Sequence, residues 1–344
     1  MVYPDVSGVA VRYTKGRTRL NRCGMGANVK ENTIIIRMAG GLGNQMFQYA
    51  LYLKLCSQGK EVKFDDINEY RHDNARPIML SVFGINYPRA AWDEIVEITD
   101  GSMKILHRIR RKLTGRKTLE YREKNDSYDP QALTIAPAYL TGYYQSEKYF
   151  KDIEEQVREV FTFPERSQMH LPEGLDQKIG TYVYMIEHTE AISIHIRRGD
   201  YLLVDDVFGG ICTDAYYEQA IAYMLEKCEN PVFYVFSNDL KWIRAWIKER
   251  YLNQGDEQAE EELDRRFCFI EETTEHTGFL DMMMMSKCKH HIIANSSFSW
   301  WGAWLNNSPD KCIVAPSKWL NSSGCQDVHT DHMIKINAEG EICE

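Results

Sequence analysis

Long apolar runs are missing from this 344-residue sequence. None reaches the roughly 18 residues that cross a bilayer, so no transmembrane helix is expected. No signal peptide is expected either, because residues 1–30 hold no continuous apolar core. Paired cysteines are missing too. The nine cysteines are scattered, odd in number and nowhere spaced C-x-x-C, which speaks against a disulfide framework or a structural zinc site. A reducing, cytoplasmic setting is expected, in which the N-x-S/T matches at Asn295, Asn306 and Asn321 carry no glycan. No G-x-x-x-x-G-K-[ST] occurs, which speaks against a P-loop nucleoside triphosphatase. Cationic charge is in deficit: 41 Lys and Arg against 50 Asp and Glu leave a net charge of −9. That balance disfavours nucleic acid as a partner.

What is present is a soluble composition, 44% apolar and 26% charged, in a chain long enough for two domains. Residues 1–30 run against the overall charge, with six Lys and Arg and one acid. They are expected to form a disordered basic extension. Residues 33–38, β-branched and apolar, predict a strand; Ala39-Gly40-Gly41-Leu42-Gly43 a tight turn; and residues 45–57 a helix with Asn44 as N-cap. A second strand at 62–64 completes a βαβ unit. Residues 71–165 are less regular. Within them, 104–117 hold seven Lys and Arg and no acid, with Ile105, Ile109 and Leu113 at helical spacing. Such a helix is either a solvated basic face or a patch for a membrane surface or an anionic acceptor. From residue 192 the pattern alternates: strands at 192–196, 232–236, 267–270, 291–294 and 312–314, helices at 213–228, 240–251, 277–288 and 298–305, and an acidic loop at 254–264. Alternation of this kind implies a parallel, doubly wound sheet.

Three segments combine unusual residues with the ends of these elements. His195-Ile-Arg-Arg-Gly-Asp200 leaves the carboxyl end of a strand, where α/β folds bind ligands. Arginine forks onto phosphate oxygens, so the pair suggests a phosphorylated ligand. Strand alternation lets one of Arg197 and Arg198 face it while the other pairs with a carboxylate. Ser296 and Ser297 offer hydroxyls and backbone N–H groups at a helix start, a second phosphate cradle. Trp300, Trp301 and Trp304 follow, read mainly as core, as are Met282–Met285. The glycine turn fits a close ligand approach, a plain tight turn, or a dinucleotide fingerprint with Asp65 ending the next strand. Met46, where that fingerprint wants its third glycine, counts against the last.

Together, Gly40-Gly-Leu-Gly-Asn-Gln-Met-Phe-Gln-Tyr-Ala50, His195-Ile-Arg-Arg-Gly-Asp-Tyr201 and Asn295-Ser-Ser-Phe-Ser-Trp-Trp-Gly-Ala-Trp304 resemble the galactoside α-1,2-fucosyltransferases, glycosyltransferase family 11. Arg76-Pro77, Gly142-Tyr-Tyr-Gln-Ser-Glu-Lys-Tyr-Phe150, Ser237-Asn-Asp239 and Asp281 support the likeness, which covers residues 33–320. It implies an α/β, GT-B-like fold of two Rossmann-type domains facing across a cleft, with an acceptor-side domain at 31–175 and a GDP-fucose domain at 176–344. It also implies inverting transfer of L-fucose from GDP-β-L-fucose to the 2-hydroxyl of a terminal β-galactoside, on a free oligosaccharide, a polysaccharide repeat or a lipid-linked glycan. The H-x-R-R-x-D element is shared with α-1,6- and protein O-fucosyltransferases, so another linkage stays open, as, more distantly, does an NAD-dependent oxidoreductase.

The resemblance implies no metal and no cofactor, with arginine taking the charge-stabilising role of a metal ion. The expected cytoplasmic protein makes at most a peripheral contact with the membrane's inner face. By the same likeness Arg197 meets the β-phosphate, Arg198 organises the site, Ser296 and Ser297 cradle the phosphates, and His195 and Asp281 hold the guanosine. Ser237 lies with the nucleotide, and Asn44 and Gln45 lie across the cleft near fucose or acceptor. The base is Asp200, Asp205 or Asp206.

Overall fold

The computed structural model describes residues 31–70, 76–100, 105–115, 117–198, 205–252, 257–322 and 325–343. The expected basic extension and Asp200 lie outside the described residues. The chain opens with β1 (Thr33–Arg37), α1 (Leu42–Ser57) and β2 (Glu61–Asp65). It continues with α2 (Trp92–Ile98), α3 (Ile105–Thr114), β3 (Glu120–Arg122), β4 (Ala138–Thr141) and α4 (Glu154–Val160). The four strands form a parallel sheet in the order β2-β1-β4-β3. Ile34, Ile35 and Ile36 are all buried, the continuous apolar run of a strand covered on both faces.

The second half comprises α5 (Glu173–Glu187), β5 (Glu190–Ile196), α6 (Asp205–Phe208), α7 (Asp214–Lys227), β6 (Pro231–Ser237) and α8 (Leu240–Tyr251). Then come α9 (Glu257–Arg266), β7 (Phe267–Phe269), α10 (Phe279–Lys287), β8 (His290–Ile292), α11 (Ser297–Leu305), β9 (Ile313–Pro316), β10 (Met333–Ile336) and β11 (Ile342–Cys343). Seven strands form the order β11-β10-β9-β8-β5-β6-β7, parallel except for β11. Two parallel sheets wrapped by helices, with loops from their carboxyl ends meeting, make the GT-B-like α/β fold that the motifs implied.

Several local expectations change. Helix α1 starts at Leu42 with Gly41 as N-cap, so Asn44 sits inside the first turn rather than capping it. The expected acidic loop contains α9. Its Glu261–Arg265 and Glu262–Arg266 pairs one turn apart, and Glu260 reaching Lys248, hold a helix whose apolar anchor is the buried Leu263. The strand at 313–316 is not the last, because β10 and β11 extend the sheet beyond it.

The two halves share a core. Trp300, Trp301 and Trp304 of α11 are buried, and Phe47 of α1 lies against Trp300 and Trp301 at ring-centroid distances of 4.6 and 4.9 Å. The tryptophans are thus packing residues, and they weld the second half to the first. Met282–Met285 of α10 are buried as expected of core filler.

Candidate active site

In the seven-stranded sheet the chain leaves β5 for β6 and β7 on one side, then returns to lay β8, β9 and β10 on the other. The connections before and after this reversal diverge, opening a crevice beyond the carboxyl ends of β5 and β8. Those strands pair directly, with Ile194 opposite Ile292. The segment Arg197–Arg198 and the segment Asn295–Ser297 therefore emerge side by side, about one strand spacing (~4.8 Å) apart at their roots.

Arg198 is held by its neighbours. Arg198 donates its backbone N–H to Asn238 Oδ1 at 3.0 Å, places Nε 3.9 Å from Asp239 Oδ2, and lays its guanidinium over the Trp242 ring at 3.6 Å. Ser237 accepts the Asp239 N–H at 3.0 Å, and Asp239 caps α8 by accepting from Trp242 N–H at 3.2 Å. Ser237, expected beside the nucleotide, thus orders the turn that grips Arg198. Arg197 is half-buried directly past β5. Trp242 was not foreseen; its signal was an aromatic ring in the first turn after a strand-end Asp.

Helix α11 is polarised to match. At its carboxyl end Lys311 Nζ donates to the carbonyls of Ala303, Trp304 and Asn306 at 3.1, 3.3 and 2.8 Å. Arg158 donates to the Trp304 carbonyl at 2.8 Å and stacks over its ring. Two cations thus satisfy the negative end; burial lowers the Lys311 ammonium to about 8. The positive end opens at Ser296, whose extended backbone precedes the first turn and whose hydroxyl makes no capping bond.

That end abuts the start of α1. A Cβ on Gly43 would lie 2.6 Å from the Ser297 carbonyl carbon, and Gly43 O accepts from Trp301 Nε1 at 2.9 Å. Asn44 Oδ1 accepts from Ser297 Oγ at 2.6 Å and from Gln145 Nε2 at 2.7 Å. Gln145 Oε1 accepts from Trp319 Nε1 at 3.0 Å, and the Trp319 carbonyl accepts from Asn295 Nδ2 at 3.1 Å. The N-termini of α1 and α11 therefore meet at Gly43, Asn44 and Ser297, and positive helix ends favour an anion nearby.

The family model described as Glycosyl transferase family 11 matches residues 117–337. The chain belongs to this family. It is 32% identical over 296 residues to an alpha-1,2-colitosyltransferase of Escherichia coli, covering 83% of this chain and 92% of that protein. It is 30% identical over 319 residues to the O-antigen biosynthesis glycosyltransferase WbnK of the same species, covering 87% and 99%. It is 26% identical over 277 residues to human galactoside alpha-(1,2)-fucosyltransferase 1, covering 77% and 63%.

Within this family 11 chain the remaining expected residues divide sharply. Gln45 is buried; its Nε2 donates to the carbonyls of Gly40 and Pro77, both at 2.9 Å, and its Oε1 accepts from Met79 N–H at 2.9 Å. It clamps the 76–79 segment onto the glycine turn. Asn44 and Ser297 bond to each other, so the Ser297 hydroxyl serves the junction between the halves. Asp65, which a dinucleotide site would turn to a ribose, is buried and accepts from Ile67 N–H at 2.9 Å, Asn68 N–H at 3.1 Å and Tyr139 Oη at 2.6 Å. Those bonds remove the support for an oxidoreductase.

His195 is buried on β5, its ring 5.8 Å from that of Phe298 on α11. Asp281, in the first turn of α10, accepts from Thr273 Oγ1 at 3.0 Å through one oxygen, while the other is enclosed without a hydrogen-bond partner. Burial raises its carboxyl to about 7. Asp205 opens α6, and Asp206 beside it is exposed. Past β9, a cavity of about 360 Å³ lined by Lys318, Trp319, Gln326 and His329 extends the same edge of the sheet. The one group of three potential metal ligands among the described residues, Glu190, Cys228 and His290, lies at the opposite end of these strands. There Glu190 is paired to Lys289.

Proposed function

We propose that this protein transfers L-fucose from GDP-β-L-fucose to the 2-hydroxyl of a terminal β-galactoside, with inversion to an α-1,2 linkage. Family membership supports a glycosyltransferase, and the bacterial colitosyltransferase and the human fucosyltransferase are both named for an α-1,2 linkage. The observation that carries the donor reading is the position of Arg197, at a strand end beside the sheet's reversal and the N-terminus of α11. A diphosphate is the anion that suits such a crevice.

In this reading the C1–O bond to the β-phosphate breaks as C1 gains oxocarbenium character. Arg197 and the start of α11 meet the charge that grows on the departing GDP. The acceptor 2-hydroxyl attacks the opposite face of C1, and its proton passes to a carboxylate of the 200–206 segment, Asp200 or Asp205. No metal takes part. His195 and Asp281 hold the guanosine, the unpartnered Asp281 oxygen receiving guanine N–H donors.

A second donor has its own support. Colitose is fucose without the 3-hydroxyl, and a colitosyltransferase is among the relatives. The relative named for O-antigen biosynthesis favours a polysaccharide repeat or lipid-linked glycan as the natural acceptor. Incubation of the full chain with GDP-fucose or GDP-colitose and a panel of lactose, lacto-N-biose and N-acetyllactosamine, followed by linkage analysis, tests both. Transfer from GDP-fucose to galactose O2 is expected. Transfer from GDP-colitose alone would replace the donor and keep the linkage, and product at any other hydroxyl would overturn the linkage.

A further inference from the structure

Helix α3 is built inside out. Ile105, Leu106, Ile109 and Leu113 are 74, 78, 51 and 82% exposed, four of the ten large apolar side chains so exposed among the described residues. Their spacing (i, i+1, i+4, i+8) places all four on one face of a ten-residue helix. In a soluble protein that face normally turns to the core; here it turns to solvent. The inner side is held by charge instead. Arg111 donates to the Asp100 carbonyl at 2.7 Å, and Arg110 pairs with the Asp100 carboxylate.

The polar residues beside the apolar face are of one sign. Arg108, Arg110, Arg111 and Lys112 lie on α3, and no acid does. The whole chain carries −9, so this cationic apolar helix is a local reversal of the molecule's charge. A face that is both greasy and basic complements a surface that is apolar beneath and anionic at its rim. We propose that α3 docks this protein on a bilayer rich in anionic lipid, with Ile105, Leu106, Ile109 and Leu113 entering the acyl boundary and Arg108 and Lys112 reaching the headgroups. No helix of the described residues is long and apolar enough to cross a membrane, so the attachment is peripheral. It is independent of which sugar the protein transfers.

The test is co-sedimentation of the full chain with vesicles of phosphatidylcholine alone or mixed with phosphatidylglycerol, at low and high salt. Binding to the mixed vesicles is expected to exceed binding to the neutral ones at least about tenfold and to fall with salt. The pair Leu106→Gln and Leu113→Gln should abolish binding. The pair Arg108→Gln and Lys112→Gln should remove the preference for anionic lipid. All four side chains are exposed, so thermal unfolding and GDP binding should be unchanged in both variants, which separates lost docking from lost folding. Failure to bind either vesicle overturns the proposal, and so does equal binding to both. Light scattering supplies the remaining outcome: a dimer dissolved by Leu106→Gln with Leu113→Gln would make a second copy of this chain the occupant and overturn the bilayer.

Discussion

The loops after β1 and after β5 hold the same place in their two sheets. Each leaves the carboxyl end of a central strand beside a reversal of strand order, where an α/β fold opens a crevice. The sequence marks both, one with glycines and the other with arginines. The structure uses them differently. The glycine loop is closed by protein: Gly43 accepts Trp301, Asn44 takes Ser297 and Gln145, and Gln45 clamps the segment before Met79. In the arginine loop Arg198 lies over Trp242 with Asp239 near its Nε, and the half-buried Arg197 directly follows β5. The lesson is that a crevice in this fold can be filled from within, and that the residue type at its mouth tells which. Glycine invites backbone to approach; arginine asks for an anion.

Replacing Arg197 is the severest test of that contrast. Arg197→Ala should lower kcat by about 10²–10³-fold, the loss typical when a donor aimed at developing charge is removed. It should weaken GDP binding and leave the unfolding midpoint where it was. Steady-state kinetics and a denaturant titration read both at once. An unfolding midpoint that drops with kcat barely changed would make Arg197 a structural ion-pair residue and erase the distinction between the loops.

A glycine-to-alanine pair probes the other side. Gly43→Ala places its Cβ against the Ser297 backbone, which is not free to yield as a side-chain tip is. A loss of about 1–3 kcal/mol in unfolding free energy is expected for such overpacking. Gly174→Ala, in the first turn of α5 with open space around it, should be neutral or stabilising by about 0.5–1 kcal/mol. Urea titration of the two proteins makes the comparison. If Gly43→Ala is as mild as Gly174→Ala but abolishes transfer, the glycine loop approaches a ligand after all.

These cases also show what the linear sequence could reveal. The alternation that built the second sheet was legible because its strands are apolar runs with turn residues at their ends. The burial of the tryptophans was legible because three large rings in five residues cannot all face water. The reason for Gly43 was not, because it lies about 250 residues away in the backbone of Ser297. Helix α9 was misread because its stability comes from ion pairs and one buried leucine rather than a stripe. Among the site residues, Arg197 and Arg198 could be told apart only as alternatives. Trp242 and Asp239 hold Arg198, and no local pattern announces that contact.

Two carboxylates with enclosed oxygens carry the same contrast to its smallest measurable effect. Asp65 ends β2 in the glycine-loop half with its oxygens bonded to Ile67, Asn68 and Tyr139. Asp281, in the arginine-loop half, has one oxygen on Thr273 and the other enclosed without a partner. Burial lifts Asp281 from 3.8 to about 7, so between those values the native protein holds a proton that the unfolded chain has lost. Its contribution to stability is therefore present at low pH and declines as pH rises through that window. Ligand binding moves the opposite way. Guanine offers N–H donors, which only the ionised carboxylate can accept twice, so GDP affinity should rise from pH 6 towards pH 8, by at most about tenfold per unit, and level off above 7. In Asp281→Asn the affinity should be lower and this part of the slope absent. The phosphate's own titration is common to both proteins and cancels in the ratio of their binding constants, measured calorimetrically across that range. A ratio independent of pH would show that the enclosed oxygen serves the fold, as the oxygens of Asp65 do.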